Sequence, residues 1–226
     1  MLPRNPADMV VPPRADRFEA NTLSPEQVVK LLDACEDTET FWPVLLAVTL
    51  GLRRGEALGL RWEDVDLEAR RITITHSALC TSQEGFTISE TKTPSGRRTL
   101  MLPDYVAEML KRRLDALRDR RHQFGDGYNE MNLVCFRELG GPFTSNALQH
   151  QFNKALIKAG LPKVRFHDLR HTNATLLLRN GIPAKIVSSM LGHSGIQVTM
   201  DRYSHVAPDM QEGAVHAMDS ILKQVH

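Results

Sequence analysis

One short segment of this 226-residue chain sets several reactive side chains close together. In His167-Asp168-Leu169-Arg170-His171, neighbours three and four apart share a helix face, so His167, Arg170 and His171 can point at one place. Two chemistries fit. Histidines at i and i+4 have the spacing of helical zinc ligands, with Asp168 where a base would sit. Arg170 would then put a fixed cation beside the metal, and neither a cysteine pair nor a clear third ligand follows. The other chemistry is an anion site, where His167 and Arg170 converge on a phosphate and the guanidinium grips it through two parallel hydrogen bonds. A helix with incidental surface histidine and arginine is the plain alternative.

Three further segments bear on that choice. Gly51-Leu52-Arg53-Arg54-Gly55-Glu56 lies between two apolar helical stretches. An arginine there is costly unless it is paired or binds an anion, and Glu56 is placed to orient Arg53. An ordinary helix corner with an Arg–Glu pair would read the same way. Lys92 stands where a predicted strand runs into the turn Thr93 to Gly96, flanked by Arg97 and Arg98. From there a flexible ammonium can reach a substrate, although charged hairpin tips are common. Leu191-Gly192-His193 ends another helix, and Tyr203 follows ten residues later.

The elements that must hold these groups are legible in the periodicity. Ser24-Pro25-Glu26-Gln27 supplies an N-cap, a proline at the first helical position and a capping-box acceptor for a helix with Val28, Leu31, Leu32 and Cys35 on one face. Residues 41–50 are apolar nearly all round and predict a buried helix, ended by Gly51 and followed by a short helix from Arg54 to Leu60. The period then changes to two. Residues 71–76, 86–88 and 98–102 predict a small three-stranded antiparallel meander. Helical spacing returns after Pro103 and persists to Gly125, then over Thr144 to Ala159, over His167 to Asn180 with Gly181 as C-cap, and over Pro183 to Leu191, with a short turn reaching Tyr203. Asp209 to Val225 predicts a last amphipathic helix. The fold class is therefore α+β, mainly α-helical with a small three-stranded antiparallel sheet.

Composition adds its own limits. With 42% hydrophobic residues the chain can bury a sizeable core, and it contains no apolar run of the roughly 18 residues that would span a bilayer. Residues 1–21, with Pro3, Pro6, Pro12 and Pro13, predict a linker without an apolar leader segment. Cys35, Cys80 and Cys135 have no CxxC spacing, which fits a reducing cytoplasm better than a disulfide framework. The formal charge of +1 taken as an average disfavours nucleic acid, but it is unevenly spread. Residues 1–40 carry four basic and eight acidic side chains, whereas 91–122 carry nine and four, and 154–185 carry seven basic against Asp168 alone.

Taken in order, these segments resemble the tyrosine recombinase family of phage integrases and their relatives, from Leu23 to the C-terminus. GLRRGE resembles the family's first arginine box, TKTPSGRR its β-hairpin lysine, FHDLRHT its His-x-x-Arg box, and LGHSGIQVTMDRYSH its last histidine and nucleophile. Tyr105 and Tyr128 do not follow the basic boxes in this way. The resemblance implies the tyrosine recombinase (DNA breaking-rejoining) catalytic fold, and a site-specific recombinase that cleaves and rejoins DNA through a 3′-phosphotyrosyl intermediate to integrate or excise a phage or mobile element.

It further implies Tyr203 as nucleophile, Arg53 and Arg170 as donors to the phosphate, with Glu56 supporting, and Lys92 as general acid. His167 would assist the tyrosine's proton transfer and His193 would hydrogen-bond the phosphate. Arg54, Arg97, Arg98, Lys163, Arg165 and His171 are expected DNA contacts, and neither cofactor nor metal is expected. NPADMVVPP resembles the junction to the family's DNA-binding domain, so residues 1–21 are expected to be a linker remnant and 22–226 the catalytic domain. Residues 208–226 would form a helix that packs in trans.

The expected partners are double-stranded attachment-site DNA, a tetramer of the chain on DNA formed from free monomers, and accessory bending or directionality proteins. The expected location is the prokaryotic cytoplasm, at the nucleoid. Without the DNA-binding domain, DNA affinity should be weak and strongly salt-sensitive. A non-catalytic DNA-binding module and a metallohydrolase built on His167 and His171 are the alternatives.

Overall fold

The computed structural model describes residues 21–81, 85–91, 96–125 and 127–203. The predicted linker, apart from Asn21, and the predicted helix over 208–226 lie outside the described residues, as does Lys92 with the turn that follows it.

Helix α1 (Pro25–Cys35) opens on the capping box read from the sequence: the Gln27 amide donates to Ser24 Oγ, and the Ser24 amide donates to Gln27 Oε1. Its Leu31, Ala34 and Cys35 are buried. Helix α2 (Phe41–Leu50) is buried on every side, as its apolar sequence requires, and packs against α1, α3 (Arg54–Gly59) and α6 (Asp168–Arg179). It stops at Gly51, whose φ of 67° is left-handed and whose missing Cβ leaves room for Leu191 and Asn173. Asn173 fastens α6 to this end of α2, donating from Nδ2 to the carbonyls of Val48 and Thr49.

The β region differs from the predicted meander. Strand β2 (Arg71–Ile74) pairs directly with β5 (Arg98–Met101), Ile72 opposite Leu100, and its other edge takes β1 (Val65–Asp66). The chain leaves this sheet at Thr75, whose Oγ1 donates to Asp64 and whose carbonyl accepts from Thr91. Between those two anchors, β3 (His76–Thr81) and β4 (Gly85–Glu90) form a separate two-stranded hairpin. The alternation of residues 71–76 therefore runs across two strands of different sheets. The hairpin lies on α3, so closely that a Cβ on Gly59 would come within 2.7 Å of the Ala78 amide nitrogen.

Helices α4 (Asp104–Phe124) and α5 (Ser145–Lys158, N-capped by Thr144) follow the predicted spans closely. So do α6 and α7 (Ala184–Leu191), whereas the expected turn before Tyr203 is a two-turn helix, α8 (Ile196–Tyr203). The main core joins α1, α2, β2, β5, α4 and α5. A smaller cluster of Ala174, Leu178, Val187, Leu191 and Tyr203 ties α6, α7 and α8 together. Each fully buried aliphatic side chain contributes about 1.5–3 kcal/mol, so this cluster suffices to fix the tyrosine ring. The three thiols are free, and burial pushes Cys35 up to about 11 and Cys135 up to about 12. No described helix is long and apolar enough to cross a membrane.

Candidate active site

The site is assembled around the C-terminal end of α7. The last carbonyls of a helix have no partner within it and carry the negative end of the helix dipole, so cations gather there. Three successive carbonyls each accept from a different arginine: Met190 from Arg98 Nε at 2.6 Å, Leu191 from Arg170 Nη2 at 2.5 Å, and Gly192 from Arg53 Nη2 at 3.1 Å. Arg170 also donates from Nη1 to the Gly51 carbonyl at 2.7 Å, so it spans the C-terminal ends of α2 and α7 while only 2% exposed.

Glu56 is the buried counter-charge. Its carboxylate accepts two bonds from Arg98, one from the Arg53 guanidinium and one from the Arg53 amide. Burial opposes its ionisation, but the two arginines prevail and hold its pKa down at about 2. One carboxylate for three guanidiniums leaves the pocket cationic. Arg170 registers this: desolvation first, then repulsion from Arg53 and Arg98, pushes its pKa down to about 9. An anion bound here would counter both by favouring the charged form.

Around this centre, Arg53 remains 40% exposed at its side chain and borders two cavities, about 290 and 270 Å³. The first also touches Arg54, Ser77, Ser145 and His167; the second, Glu56, Ser89 and Glu90. His167 is exposed at the start of α6. His193 follows the left-handed Gly192 that closes α7, and its Nδ1 lies 2.8 Å from Thr199 Oγ1 on α8. Tyr203, at the end of α8, is 5% exposed, with its hydroxyl 2.8 Å from His171 Nδ1.

The described members of the predicted set, Arg53, Glu56, His167, Arg170, His193 and Tyr203, are thus brought to one place by α3, α6, α7 and α8. Arg54, Arg97, Lys163 and Arg165 are exposed, with Arg165 paired to Asp168. Two predicted DNA contacts are corrected. The Arg98 side chain is 7% exposed and locked onto Glu56 and Met190, and His171 is 5% exposed against Tyr203. Neither faces solvent, because β5 turns Arg98 toward α3 and α7, and the helical turn from His167 to His171 leads inward. Sequence reasoning also missed Thr199 and the α7 carbonyls, which no residue type announces. Among the described residues, no group of three His, Cys, Asp or Glu is placed to hold a metal ion.

A mainly helical domain with a small antiparallel sheet, closing over paired arginines, histidines and a buried tyrosine, is the catalytic fold of the tyrosine recombinases. The sequence model of the phage integrase family matches residues 21–210, and the chain belongs to that family. It is 33% identical over 214 residues to a XerC-like tyrosine recombinase of Caldanaerobacter subterraneus subsp. tengcongensis, covering 90% of this chain and 55% of the relative. It is 28% identical over 203 residues to the transposase of transposon Tn916 from Enterococcus faecalis, covering 86% and 50%. Among solved structures, the Tn1549 transposon integrase bound to circular intermediate DNA superposes with a TM-score of 0.74 at 25% identity, over 96% of this chain and 70% of that one. The catalytic domain of bacteriophage HP1 integrase gives 0.55 at 25% identity, over 88% and 95%. The chain spans about half the length of these two curated relatives.

Proposed function

We propose that this chain carries the strand-cleaving and rejoining activity of a site-specific DNA recombinase acting on a phage or other mobile element. The observation that supports it best is the cationic pocket on α7, where three guanidiniums gather around the one carboxylate of Glu56, with a tyrosine hydroxyl beside it. A phosphodiester resists attack because its oxygens are anionic, and the transition state spreads that charge over the equatorial oxygens. Arg53 and Arg170 donate to those oxygens from fixed positions, a contribution of about 3 kcal/mol or more for each donor. Charge supplied this way lessens the need for a divalent cation.

Tyr203 attacks phosphorus, forming a 3′-phosphotyrosyl bond as the bond to the 5′ oxygen breaks. His193 hydrogen-bonds the phosphate, His167 assists beside it, and Lys92 protonates the departing 5′ oxygen. A second strand's 5′ hydroxyl reverses the step, so the bond energy is retained. Arg54, Arg97, Lys163 and Arg165 grip the DNA backbone. The partners are double-stranded attachment sites, a tetramer of the chain assembled on them from monomers, and accessory DNA-bending or directionality proteins. The place of action is the bacterial nucleoid.

The deciding experiment mixes the chain with nicked duplexes carrying the junctions of the element that encodes it. A covalent protein–DNA complex is expected, and Tyr203→Phe should bind DNA without forming one. A covalent complex with Tyr203→Phe overturns the nucleophile; none with the unmutated chain leaves a DNA-binding module.

A further inference from the structure

We propose that His171, rather than His167, takes the proton from Tyr203 and returns it on rejoining; this rests on Tyr203 being the nucleophile. The two histidines share α6 one turn apart, with rings 4.9 Å between centroids at 88°, yet the structure gives them different surroundings. His167 is exposed and borders the cavity shared by Arg53 and Arg54, where a phosphate's oxygens would lie. His171 is 5% exposed, and its Nδ1 lies 2.8 Å from the Tyr203 hydroxyl, itself on a 5% exposed side chain. A general base must first be within hydrogen-bond reach of the proton it removes, and this distance meets that requirement before DNA arrives.

The chemistry follows from the tautomer. With its hydrogen on Nε2, neutral His171 accepts the Tyr203 hydroxyl proton at Nδ1. As the tyrosyl oxygen bonds to phosphorus, that proton passes to Nδ1. The bond from phosphorus to the 5′ oxygen breaks, and the leaving oxygen takes its proton from the separate general acid. In rejoining, the imidazolium gives the proton back to the departing tyrosyl oxygen, so nothing is consumed. Among the described groups, Tyr203 on α8 and His167 on the same helix lie against the ring, and Asp168 feels its charge. Asp168 is 3% exposed, and although burial opposes its ionisation, hydrogen bonds from Arg165 and the charge of His171 hold its carboxyl below the usual range. Its charge therefore favours the imidazolium.

The test follows covalent-complex formation on the nicked junction duplexes with four variants. Asn at 171 can still accept a hydrogen bond close to where Nδ1 lies but cannot take a proton at neutral pH, so it separates positioning from proton transfer. His171→Asn and His171→Ala should each slow the reaction by roughly 100-fold or more. The Asn variant should keep wild-type DNA affinity and melting temperature, and it should lose the decline in rate toward acid that is expected of the unmutated chain. His167→Asn should keep that decline. Tyr203→Phe should form no complex; if it does, the nucleophile reading fails instead. A rate for His171→Asn within threefold of wild type, or an unchanged pH profile, overturns the proposal. Should neither variant fold, nitrogen NMR of the unmutated chain decides: Nδ1 of His171 is expected unprotonated at neutral pH, and a proton there overturns the assignment.

Discussion

Glu56 grips Arg98 through two hydrogen bonds, 2.8 Å to Nη2 and 3.1 Å to Nη1, with the two side chains 3% and 7% exposed. The same carboxylate orients Arg53, three residues before it. A predicted DNA contact on β5 thus helps to build the pocket from within, and Arg53 stays available because Arg98 shares its counter-ion.

Removing that counter-ion should be costly. Glu56→Gln keeps the shape but leaves Arg98, Arg53 and Arg170 facing one another in the interior. Breaking a buried pair by neutralising one partner typically costs about 3–5 kcal/mol. Urea unfolding should show a midpoint shift of that size, and cleavage should fall as Arg53 loses its orientation. A midpoint unchanged from wild type would mean that the pair contributes nothing net.

The same residue predicts an acid limb. Its folded pKa of about 2 lies below the ordinary carboxylate value of 4.5, so the folded state binds this proton less readily than the unfolded chain. The stabilisation is fully present above about 4.5, where both states are ionised, and is lost as pH falls toward 2. Urea midpoints measured from pH 6 to pH 3 should decline, and Glu56→Gln should flatten that decline. Asp168, whose carboxyl is also held down, contributes in the same direction.

Gly51 should tolerate no side chain. Its φ of 67° is left-handed, and a Cβ would come within 2.5 Å of Leu191 Cδ2 and 2.9 Å of Asn173 Oδ1. The backbone penalty alone is about 1–2 kcal/mol, and the clash displaces α6 and α7 from the end of α2. Gly51→Ala should lower the melting temperature and, because the Gly51 carbonyl holds Arg170, reduce cleavage further than stability alone explains.

What the sequence revealed depended on whether a feature was local. The capping box at Ser24, the buried α2 and the stop at Gly51 follow from residues a few positions apart, and the structure repeats them. The sheet did not follow, because the alternation over 71–76 continues through Thr75 while the pairing does not: Asp64 and Thr91 pull the chain out of one sheet and into a hairpin. The described candidate site residues were legible as residue types in order. Their surroundings were not, since Arg98 reaches Met190 across 92 residues and His171 reaches Tyr203 across 32. Backbone carbonyls at a helix end, which organise the pocket, have no sequence signature.

Arg170 and Arg54 should separate two kinds of cation. Arg170 is 2% exposed and bonded to the Gly51 and Leu191 carbonyls, and although its pKa is pushed down to about 9 it remains charged at neutral pH. A lysine there carries the charge on one compact ammonium and cannot reproduce the fork that spans two helix ends. Arg170→Lys should therefore slow covalent-complex formation by about 100- to 1,000-fold, with little change in the salt dependence of DNA binding, because the lysine keeps the positive charge. Arg54 is exposed at the start of α3, at the border of the cavity that Arg53 and His167 line. Arg54→Ala should weaken binding to all sequences alike and reduce the slope of log affinity against log salt by about 1. Fluorescence anisotropy across a salt series, run beside single-turnover cleavage, reads both effects. A loss of salt slope in Arg170→Lys as large as that in Arg54→Ala would mean that the substitution disturbs DNA binding beyond the reacting phosphate.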